Sequence, residues 1–235
     1  MTSEPIIYEG KAKIMKIIGD IAEMSFKDSL TAFNGKKRSS FDGKGAINAE
    51  ISYILFKLLE KHGVNTHLLS RKDEKTLVVK KLEMIPLEVV VRNYVAGSLK
   101  RRVLLDEKSK LPFPIVELYY KNDKLGDPMI NSYHARLYGI SEDTISEIED
   151  KALRINEILT KALESVGIIL ADFKLEFGYY KDGKIILGDE ISPDTCRFWD
   201  KETMRSLDKD VFRFDLGDVR KAYLEALERI RNVKI

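Results

Sequence analysis

The segment from Leu170 to Glu190 constrains the fold more than any other part of the chain. Its first half alternates the charged residues Asp172, Lys174 and Glu176 with apolar residues. Alternation of this kind predicts a β-strand with the charges on one face and the apolar side chains on the other. The pair Asp182-Gly183 then separates this strand from a second apolar run, which is a strong indication of a β-hairpin.

The hairpin brings a second acidic residue close to the first strand. With a two-residue turn at Asp182-Gly183, Glu176 lies directly opposite Asp189. Directly opposed like charges destabilise a sheet, so a divalent cation held by both carboxylates is expected between them. Two alternatives remain open. The charges face solvent and are merely hydrated, or a three-residue loop shifts the register by one and removes the pairing.

The balance of charges argues against several classes of function. The chain has 235 residues with 40 basic and 38 acidic side chains, and its net charge of +2 falls short of a nucleic-acid-binding surface. No apolar run is long enough to cross a membrane, and the N-terminus does not read as a signal peptide. The single cysteine, Cys196, excludes an internal disulfide, which agrees with a cytoplasmic location.

Blocks of strands followed by helices predict an α+β fold with mainly antiparallel sheets. The strands are expected at 6–8, 12–18, 21–26, 66–70, 76–81 and 87–91, and the helices at 44–62, 141–166 and 218–231. The proline-containing segment 104–140 is expected to be irregular. We expect two subdomains, an N-terminal one at 1–85 with antiparallel sheet and a C-terminal α+β one at 86–235.

Two clusters of basic residues are candidates for phosphate binding. Lys11 and Lys13 follow the turn at Glu9-Gly10, where small residues allow the backbone to approach a phosphate. A plain hairpin with exposed lysines would look the same. Arg92 and Ser98 are candidates for holding a phosphate monoester, because arginine offers a bidentate fork and Ser98 lies near the start of a short helix. The adjacent residues 100–102 are interpreted as a solvated basic face.

The loop at 192–200 carries further polar residues. Asp194 is a candidate for ribose hydroxyls and Arg197 for a phosphate or carboxylate. Cys196 is interpreted as a packing residue, because no base is near it in the sequence. The three histidines lack the spacing of metal ligands and are interpreted as surface or packing residues. Neither a Walker-type loop nor a dinucleotide-binding glycine motif is present.

Taken together, these motifs resemble the phosphoribosylaminoimidazole-succinocarboxamide synthase, or SAICAR synthetase, family. The matching segments are 8–13, 31–36, 84–98, 170–178, 187–190 and 192–200. The resemblance implies two packed α+β subdomains, loosely like a kinase, with ATP in the cleft. The subdomain at 1–85 would bind ATP, and the subdomain at 86–235 would carry the metal and substrate sites. It implies an ATP-dependent ligase that joins L-aspartate to 5-amino-1-(5-phosphoribosyl)imidazole-4-carboxylate through an acyl phosphate. It further implies ATP and Mg²⁺ as ligands, a homodimer, and no nucleic-acid or membrane partner.

The resemblance also assigns a role to each motif residue. The residues expected to bind ATP are Gly10, Lys11, Ala12, Lys13, Lys80, Leu82, Met84, Glu176 and Asp189, of which the last two also bind the metal. The residues expected to bind the imidazole nucleotide are Arg92, Ser98, Asp172, Lys174, Asp194 and Arg197. The expected catalytic residues are Asp172, Lys174, Lys11 and Lys13.

Other functions remain possible at this stage. A small-molecule kinase would use the same cleft without aspartate, and a nucleotide-binding regulator would bind ATP without releasing ADP. An RNA-binding module would use residues 100–102. The residues that bind aspartate are also open, with Lys36, Arg38 and Lys44 as candidates on charge alone.

Overall fold

The computed structural model describes residues 5–33 and 35–235. The strands are β1 (Ile6–Glu9), β2 (Lys13–Ile18), β3 (Ile21–Phe26), β4 (Ser29–Ala32), β5 (Lys37–Ser40), β6 (Leu68–Arg71), β7 (Thr76–Lys80), β8 (Glu83–Tyr94), β9 (Lys110–Tyr120), β10 (Met129–Ile130), β11 (Ile168–Tyr179), β12 (Ile185–Leu187) and β13 (Cys196–Asp200). The helices are α1 (Lys44–Lys61), α2 (Ser132–Leu137), α3 (Glu142–Glu164), α4 (Asp210–Arg213) and α5 (Val219–Ile230). Asn34, in the motif at 31–36, lies outside the described residues.

Two antiparallel sheets carry most of these strands. The first has the order β1-β2-β3-β7-β6, and the second has the order β10-β9-β8-β11-β12, with β13 paired to the first half of β11. Helix α1 packs against the first sheet and against α5, whereas α3 packs against the second sheet. The predicted α+β class is therefore confirmed, and the three long helices lie close to their predicted positions.

Strand β11 separates the core from the polar face, as its alternation predicts. Phe173, Leu175 and Phe177 are each about 1% exposed and belong to the main core. Removing such side chains from water stabilises the fold by roughly 1.5–3 kcal/mol each. The charged residues between them lie on the opposite face, so one strand both anchors the core and carries the polar groups.

The prediction of an irregular segment at 104–140 is wrong, because β9 crosses the second sheet there. Its register against β8 shifts between Arg92, which pairs with Ile115, and Tyr94, which pairs with Lys110. The residues 111–114, which include two prolines, bulge out of the ladder at this shift. Proline is tolerated in a strand where no ladder hydrogen bond is required of it.

The predicted register of the β11–β12 hairpin is also wrong. Tyr180 pairs with Lys184 across a three-residue loop that includes Gly183 at φ 77°, so every pair moves by one residue. Glu176 therefore lies opposite Gly188, whose N–H donates to the Glu176 carbonyl at 2.9 Å, and not opposite Asp189. Three-residue loops with a left-handed glycine are a common hairpin geometry, and the Asp-Gly pair alone does not exclude them.

The two sheets meet near the ends of β6 and β12. The His67 N–H donates to the Leu187 carbonyl at 2.8 Å, and the Leu187 N–H donates to the Asn65 carbonyl at 3.1 Å. The chain passes from one sheet to the other at residues 81–82. The division into subdomains at 85/86 stays a prediction. Among the described residues, no helix is long and apolar enough to span a membrane.

Gly45 provides a test of this packing, because α1 begins against the end of β3. A Cβ atom at Gly45 would lie 2.4 Å from the Phe26 carbonyl oxygen. We expect Gly45→Ala to lower the free energy of unfolding by about 1–3 kcal/mol, measured by urea denaturation, because the backbone must shift. The control is Gly10→Ala, where the new Cβ would be 3.5 Å from the Lys13 carbonyl oxygen, an ordinary van der Waals contact. Equal losses in the two variants would contradict the explanation.

Candidate active site

A polar cleft of about 790 Å³ lies between the two sheets, and most of the predicted site residues line it. Those residues are Gly10, Lys11, Ala12, Lys13, Arg92, Asp172, Lys174, Glu176, Asp189, Asp194 and Arg197. A second, mostly apolar pocket of about 270 Å³ adjoins it and is lined by Lys80, Leu82 and Met84. Lys13, Glu176 and Asp189 line both, so the two pockets form one continuous site.

Six charged side chains lie where the two pockets meet. We call them the lysine–carboxylate cluster, and they are Lys13, Lys121, Lys174, Glu176, Asp189 and Glu190. The Lys174 ammonium lies 2.5 Å from Glu176 Oε1 and 3.2 Å from Asp189 Oδ2, and Lys121 donates to Glu176 Oε2. Glu176 and Asp189 therefore converge on one place although they do not pair across the hairpin. Burial opposes the charge on Lys174, but Asp189 and Glu176 outweigh it and hold the lysine's pKa well above its usual range.

Lys13 is held by two consecutive carboxylates. It pairs with Asp189 and lies 2.8 Å from Glu190 Oε1. Neighbouring residues of a strand point to opposite faces, but the backbone of Asp189 has φ 56°, which breaks the alternation after β12. Burial alone would lower the pKa of Lys13 and raise that of Asp189. Their attraction outweighs it, so the Lys13 pKa is raised and the Asp189 pKa is lowered.

Like charges do face each other in the sheet, although the predicted partner was wrong. Glu176 is paired with Glu88 of β8, not with Asp189. The Lys174 ammonium offsets the repulsion, since it lies 3.3 Å from Glu88 Oε1 as well as contacting Glu176. The repulsion between Glu88 and Glu176 is therefore offset by a lysine.

The smaller pocket is shaped by two glycines of the hairpin. A Cβ at Gly188 would lie 3.2 Å from Leu82 Cδ1, and one at Gly178 would lie 2.9 Å from Leu82 Cβ and 3.2 Å from Met84 Sδ. The missing side chains give Leu82 and Met84 room to form one wall of the pocket. His67 is buried beside it, and burial lowers the pKa of this imidazole to about 4. The pocket is therefore suited to an uncharged, mainly apolar group.

The opposite end of the cleft contains a network of arginines and carboxylates. Arg92 donates to Asp172 Oδ2 at 2.6 Å, to Glu117 Oε2 at 2.7 Å and to Ser98 Oγ at 3.0 Å. Arg197 Nη1 lies 2.9 Å from both oxygens of Asp172. Asp172 thus fixes the two predicted phosphate-binding arginines relative to each other.

Backbone geometry and a third arginine complete this network. Gly97 has φ 53°, and a Cβ there would lie 2.6 Å from Arg197 Nη1, so a side chain would displace the guanidinium. Arg102, interpreted from the sequence as part of a solvated face, donates to Glu117 Oε1 at 2.6 Å and lies 3.4 Å from Ser98 Oγ. Arg102 is exposed, as that interpretation expects, but its guanidinium is also part of the arginine network. The interpretation fits Lys100, whose exposed ammonium pairs with Glu107.

Asp194 lies in the wall of the cleft with its carboxylate turned into the protein. The side chain is 4% exposed and pairs with the buried Lys44 ammonium at 2.6 Å. Tyr223 donates to Oδ1 at 2.7 Å, and Asn48 donates to Oδ2 at 3.0 Å. Burial raises the pKa of this carboxyl, but Lys44 and Lys209 outweigh it and the pKa is lowered. These contacts favour a structural role for Asp194, and they make Lys44 its partner instead of a free aspartate-binding cation.

Several other predicted residues have contacts that the sequence did not indicate. Lys11 lies in the turn before β2, and it pairs with Asp123 at 3.1 Å. The Lys80 ammonium donates to the Thr66 carbonyl at 3.0 Å, and Lys80 lines the smaller pocket. Cys196 is buried, and burial raises the pKa of its thiol, which agrees with a packing role.

The most important residues that the sequence analysis missed are Lys121 and Glu190. Lys121 follows β9, in the segment that the sequence predicts to be irregular. Glu190 is next to a predicted site residue, but strand alternation places it on the other face. Recognition of strand β9 would have pointed to Lys121 at its end. Nothing in the sequence predicts the left-handed backbone at Asp189 that brings Glu190 into the cluster.

Comparisons with known proteins agree with this arrangement. A model of the SAICAR synthetase family matches residues 6–230. The phosphoribosylaminoimidazole-succinocarboxamide synthase of Pyrococcus horikoshii is 61% identical over 229 residues, which cover 97% of this chain and 96% of that protein. A SAICAR synthetase solved in complex with ADP superposes with a TM-score of 0.95 at 61% identity, covering 98% of this chain and 99% of that one. The corresponding synthase of Ehrlichia chaffeensis superposes with a TM-score of 0.93 at 40% identity, covering 99% and 100% of the two chains.

The fold and the cleft define the class of the protein as an α+β enzyme with its charged active site between two antiparallel sheets. Within that class the sequence comparisons identify the family, because they extend over nearly the full length of this chain and of its relatives. The chain belongs to the SAICAR synthetase family.

The contacts of Asp194 distinguish a structural role from ribose binding. We expect Asp194→Ala to lower the free energy of unfolding by about 3 kcal/mol, because it leaves the Lys44 ammonium buried without a carboxylate. Urea denaturation measures this loss. The control is Glu107→Ala, which removes one partner of the exposed pair with Lys100 and should cost less than about 1 kcal/mol. Weaker nucleotide binding at unchanged stability would favour the ribose role instead.

Proposed function

We propose that this enzyme joins L-aspartate to 5-amino-1-(5-phosphoribosyl)imidazole-4-carboxylate at the expense of ATP, giving SAICAR, ADP and phosphate. The observation that carries the proposal is the order of three environments along one site. The apolar pocket suits a base, the lysine–carboxylate cluster suits a polyphosphate, and the arginine network suits a phosphorylated, carboxylated substrate. The structure of a relative in complex with ADP supports the assignment of the nucleotide.

ATP is placed with its base against Leu82 and Met84 and its phosphates toward Lys11 and Lys13. The turn at Gly10 and Ala12 leaves space for the phosphates beside the backbone. Two ammonium groups near a triphosphate neutralise charge that would otherwise repel an attacking carboxylate. Lys13 is well suited to this task, because Asp189 and Glu190 already hold its ammonium in position.

Glu176 and Asp189 fit a hard divalent cation such as Mg²⁺. Their carboxylates converge on one place, as the contacts of both with Lys174 show. Mg²⁺ is usually held by one or two carboxylates together with substrate phosphates and water. The described residues contain no group of three or more ligating side chains, which agrees with a metal that arrives with a nucleotide. When bound, the ion would draw negative charge from the phosphate oxygens.

The chemistry requires an activated carboxyl group, because a carboxylate does not react with an amine. We propose that an oxygen of the imidazole carboxylate attacks the γ-phosphorus of ATP and that the bond from this phosphorus to the bridging oxygen breaks, releasing ADP. The aspartate amine, after losing a proton, then attacks the acyl carbon. The carbon–oxygen bond breaks and phosphate leaves. Holding these groups in line is the main contribution expected of the protein.

Residues on and next to β11 are proposed to have different roles in these two steps. Lys174, between the two ends of the site, is proposed to stabilise charge on the transferring phosphoryl group. Arg92 and Arg197, with Ser98, are proposed to hold the phosphate of the imidazole nucleotide. Asp172 accepts hydrogen bonds from both arginines, so we propose that it orients the substrate site and does not accept a proton. A homodimer in the cytoplasm, with no nucleic-acid partner, is part of the proposal.

An ADP-release assay tests the reaction. With ATP, Mg²⁺, the imidazole carboxylate and aspartate present, we expect steady ADP release, because both steps can turn over. Omission of the imidazole carboxylate should abolish release, and omission of aspartate should reduce it strongly, because the acyl phosphate then has no amine to react with. Full release without aspartate would instead indicate a small-molecule kinase, and no release under any condition would indicate a nucleotide-binding regulator.

The Glu176 carboxylate is the sharpest test of the metal assignment. We expect Glu176→Gln to lower kcat by at least about 100-fold, because the amide preserves the shape but not the charge that a divalent cation needs. Steady-state kinetics measures the effect, and circular dichroism confirms the fold. The matched control is Glu88→Gln, which removes the same charge from a Lys174 partner that is not a proposed ligand. Equal losses of kcat in the two variants would contradict a specific metal contact.

A further inference from the structure

The loop at residues 121–128, between β9 and β10, lines the cleft, and we call it the strap. It makes one charged contact within its own sheet, with Glu176 of β11, and one with the other side of the cleft, at Lys11 in the turn before β2. Lys121 donates to Glu176 Oε2, and Asp123 Oδ1 accepts from the Lys11 ammonium at 3.1 Å. Both contacted residues are proposed ligands of the magnesium–nucleotide complex. The strap therefore occupies groups that the substrate needs.

The strap has an internal structure that does not depend on these two contacts. The side chain of Asn122 accepts hydrogen bonds from the N–H groups of Lys124 and Leu125, at 3.1 and 3.2 Å. The N–H of Asn122 itself donates to Asp127 Oδ1 at 2.8 Å. A loop held by its own hydrogen bonds can keep its shape when the side chains of Lys121 and Asp123 release their partners.

The signs of the two contacts match those of the ligand. Lys121 presents a cation to Glu176, where the proposed function places the metal. Asp123 presents an anion to Lys11, where the proposed function places a phosphate. We propose that the strap is an internal mimic of the metal–phosphate pair and that it competes with the magnesium–nucleotide complex for Glu176 and Lys11. This inference rests on the proposed function and adds a regulation of the same site.

Among the lysines of the cluster, Lys121 is the most exposed and has the fewest carboxylate partners, so its contact is the easiest to displace. Its side chain is 39% exposed, against 16% for Lys13 and 23% for Lys174. It pairs with one carboxylate, whereas Lys13 pairs with two and Lys174 with three. The Lys11–Asp123 pair is more exposed still, and such pairs are weak. The metal would thus displace Lys121 from Glu176, and the nucleotide phosphate would displace Asp123 from Lys11. Each displacement is easier when the other ligand is also present.

The test compares Lys121→Ala and Asp123→Ala with Lys124→Ala. Lys124 lies exposed on the same strap, and its side chain forms no ion pair with any part of the chain that the structure describes. Mn²⁺ serves as the metal probe, with binding measured by electron paramagnetic resonance with and without ADP. Binding of ADP is measured by isothermal titration calorimetry with and without the metal. Neither readout depends on turnover.

We expect the unmodified enzyme to bind Mn²⁺ at least about tenfold more tightly with ADP than without it. Lys121→Ala should strengthen binding of Mn²⁺ alone by about threefold to tenfold, because it frees an oxygen of Glu176. Asp123→Ala should strengthen binding of metal-free ADP by about threefold, because it frees Lys11. Lys124→Ala should do neither.

Three results would overturn the strap proposal. One is binding of Mn²⁺ to the unmodified enzyme equally well with and without ADP. Another is equal behaviour of the Lys121 and Lys124 variants. The third is weaker binding of Mn²⁺–ADP in Lys121→Ala, which would make Lys121 a ligand of the nucleotide. Failure of the proposed function would look different, because the unmodified enzyme would then show no ADP release that depends on both the imidazole carboxylate and aspartate, whatever the strap variants bind.

Discussion

The charge balance between three lysines and the carboxylates of the β11–β12 hairpin is the interaction on which the site depends. Buried carboxylates are strongly unfavourable unless cations accompany them. Glu176 and Glu190 are almost fully buried, and Glu176 also faces Glu88 across the sheet. Lysines 13, 121 and 174 make this concentration of negative charge tolerable. The result is a site in which every acidic group is held in place and is still within reach of a ligand.

The sequence predicted the polar face of β11 correctly, but it predicted the wrong residue opposite Glu176 on β12. Alternation is a local property, so the common face of Asp172, Lys174 and Glu176 follows from residue order alone. The register of β12 depends on how the chain turns, and one extra loop residue placed Gly188 where Asp189 was expected. Asp189 reaches the cluster by a left-handed backbone that no pattern of hydrophobicity reveals. The convergence of two carboxylates was thus predicted, but for a reason that the structure does not support.

Contacts between distant parts of the chain were the least predictable. Arg102 looks like one of three surface charges in the sequence, and only Glu117 of the missed strand β9 draws it into the arginine network. Asp194 looks like an available carboxylate, and only the fold shows that Lys44 and Tyr223 have already engaged it. A motif identifies which residues matter, but it does not tell a residue that touches a ligand from one that positions its neighbours.

The geometry of one strand explains why these separate contacts form a single site. Residues two apart on the same face of a strand are separated by roughly 6.5–7 Å, so Asp172 and Glu176 are about 13 Å apart with Lys174 between them. The arginine network contacts the strand at Asp172, and the lysine–carboxylate cluster includes Glu176. In the proposed function, a substrate whose phosphate is held by the network and an ATP whose phosphates are held by the cluster would therefore react near Lys174. Because the strand is fixed in the core by Phe173, Leu175 and Phe177, the distance between these two proposed sites is set by the same residues that stabilise the fold.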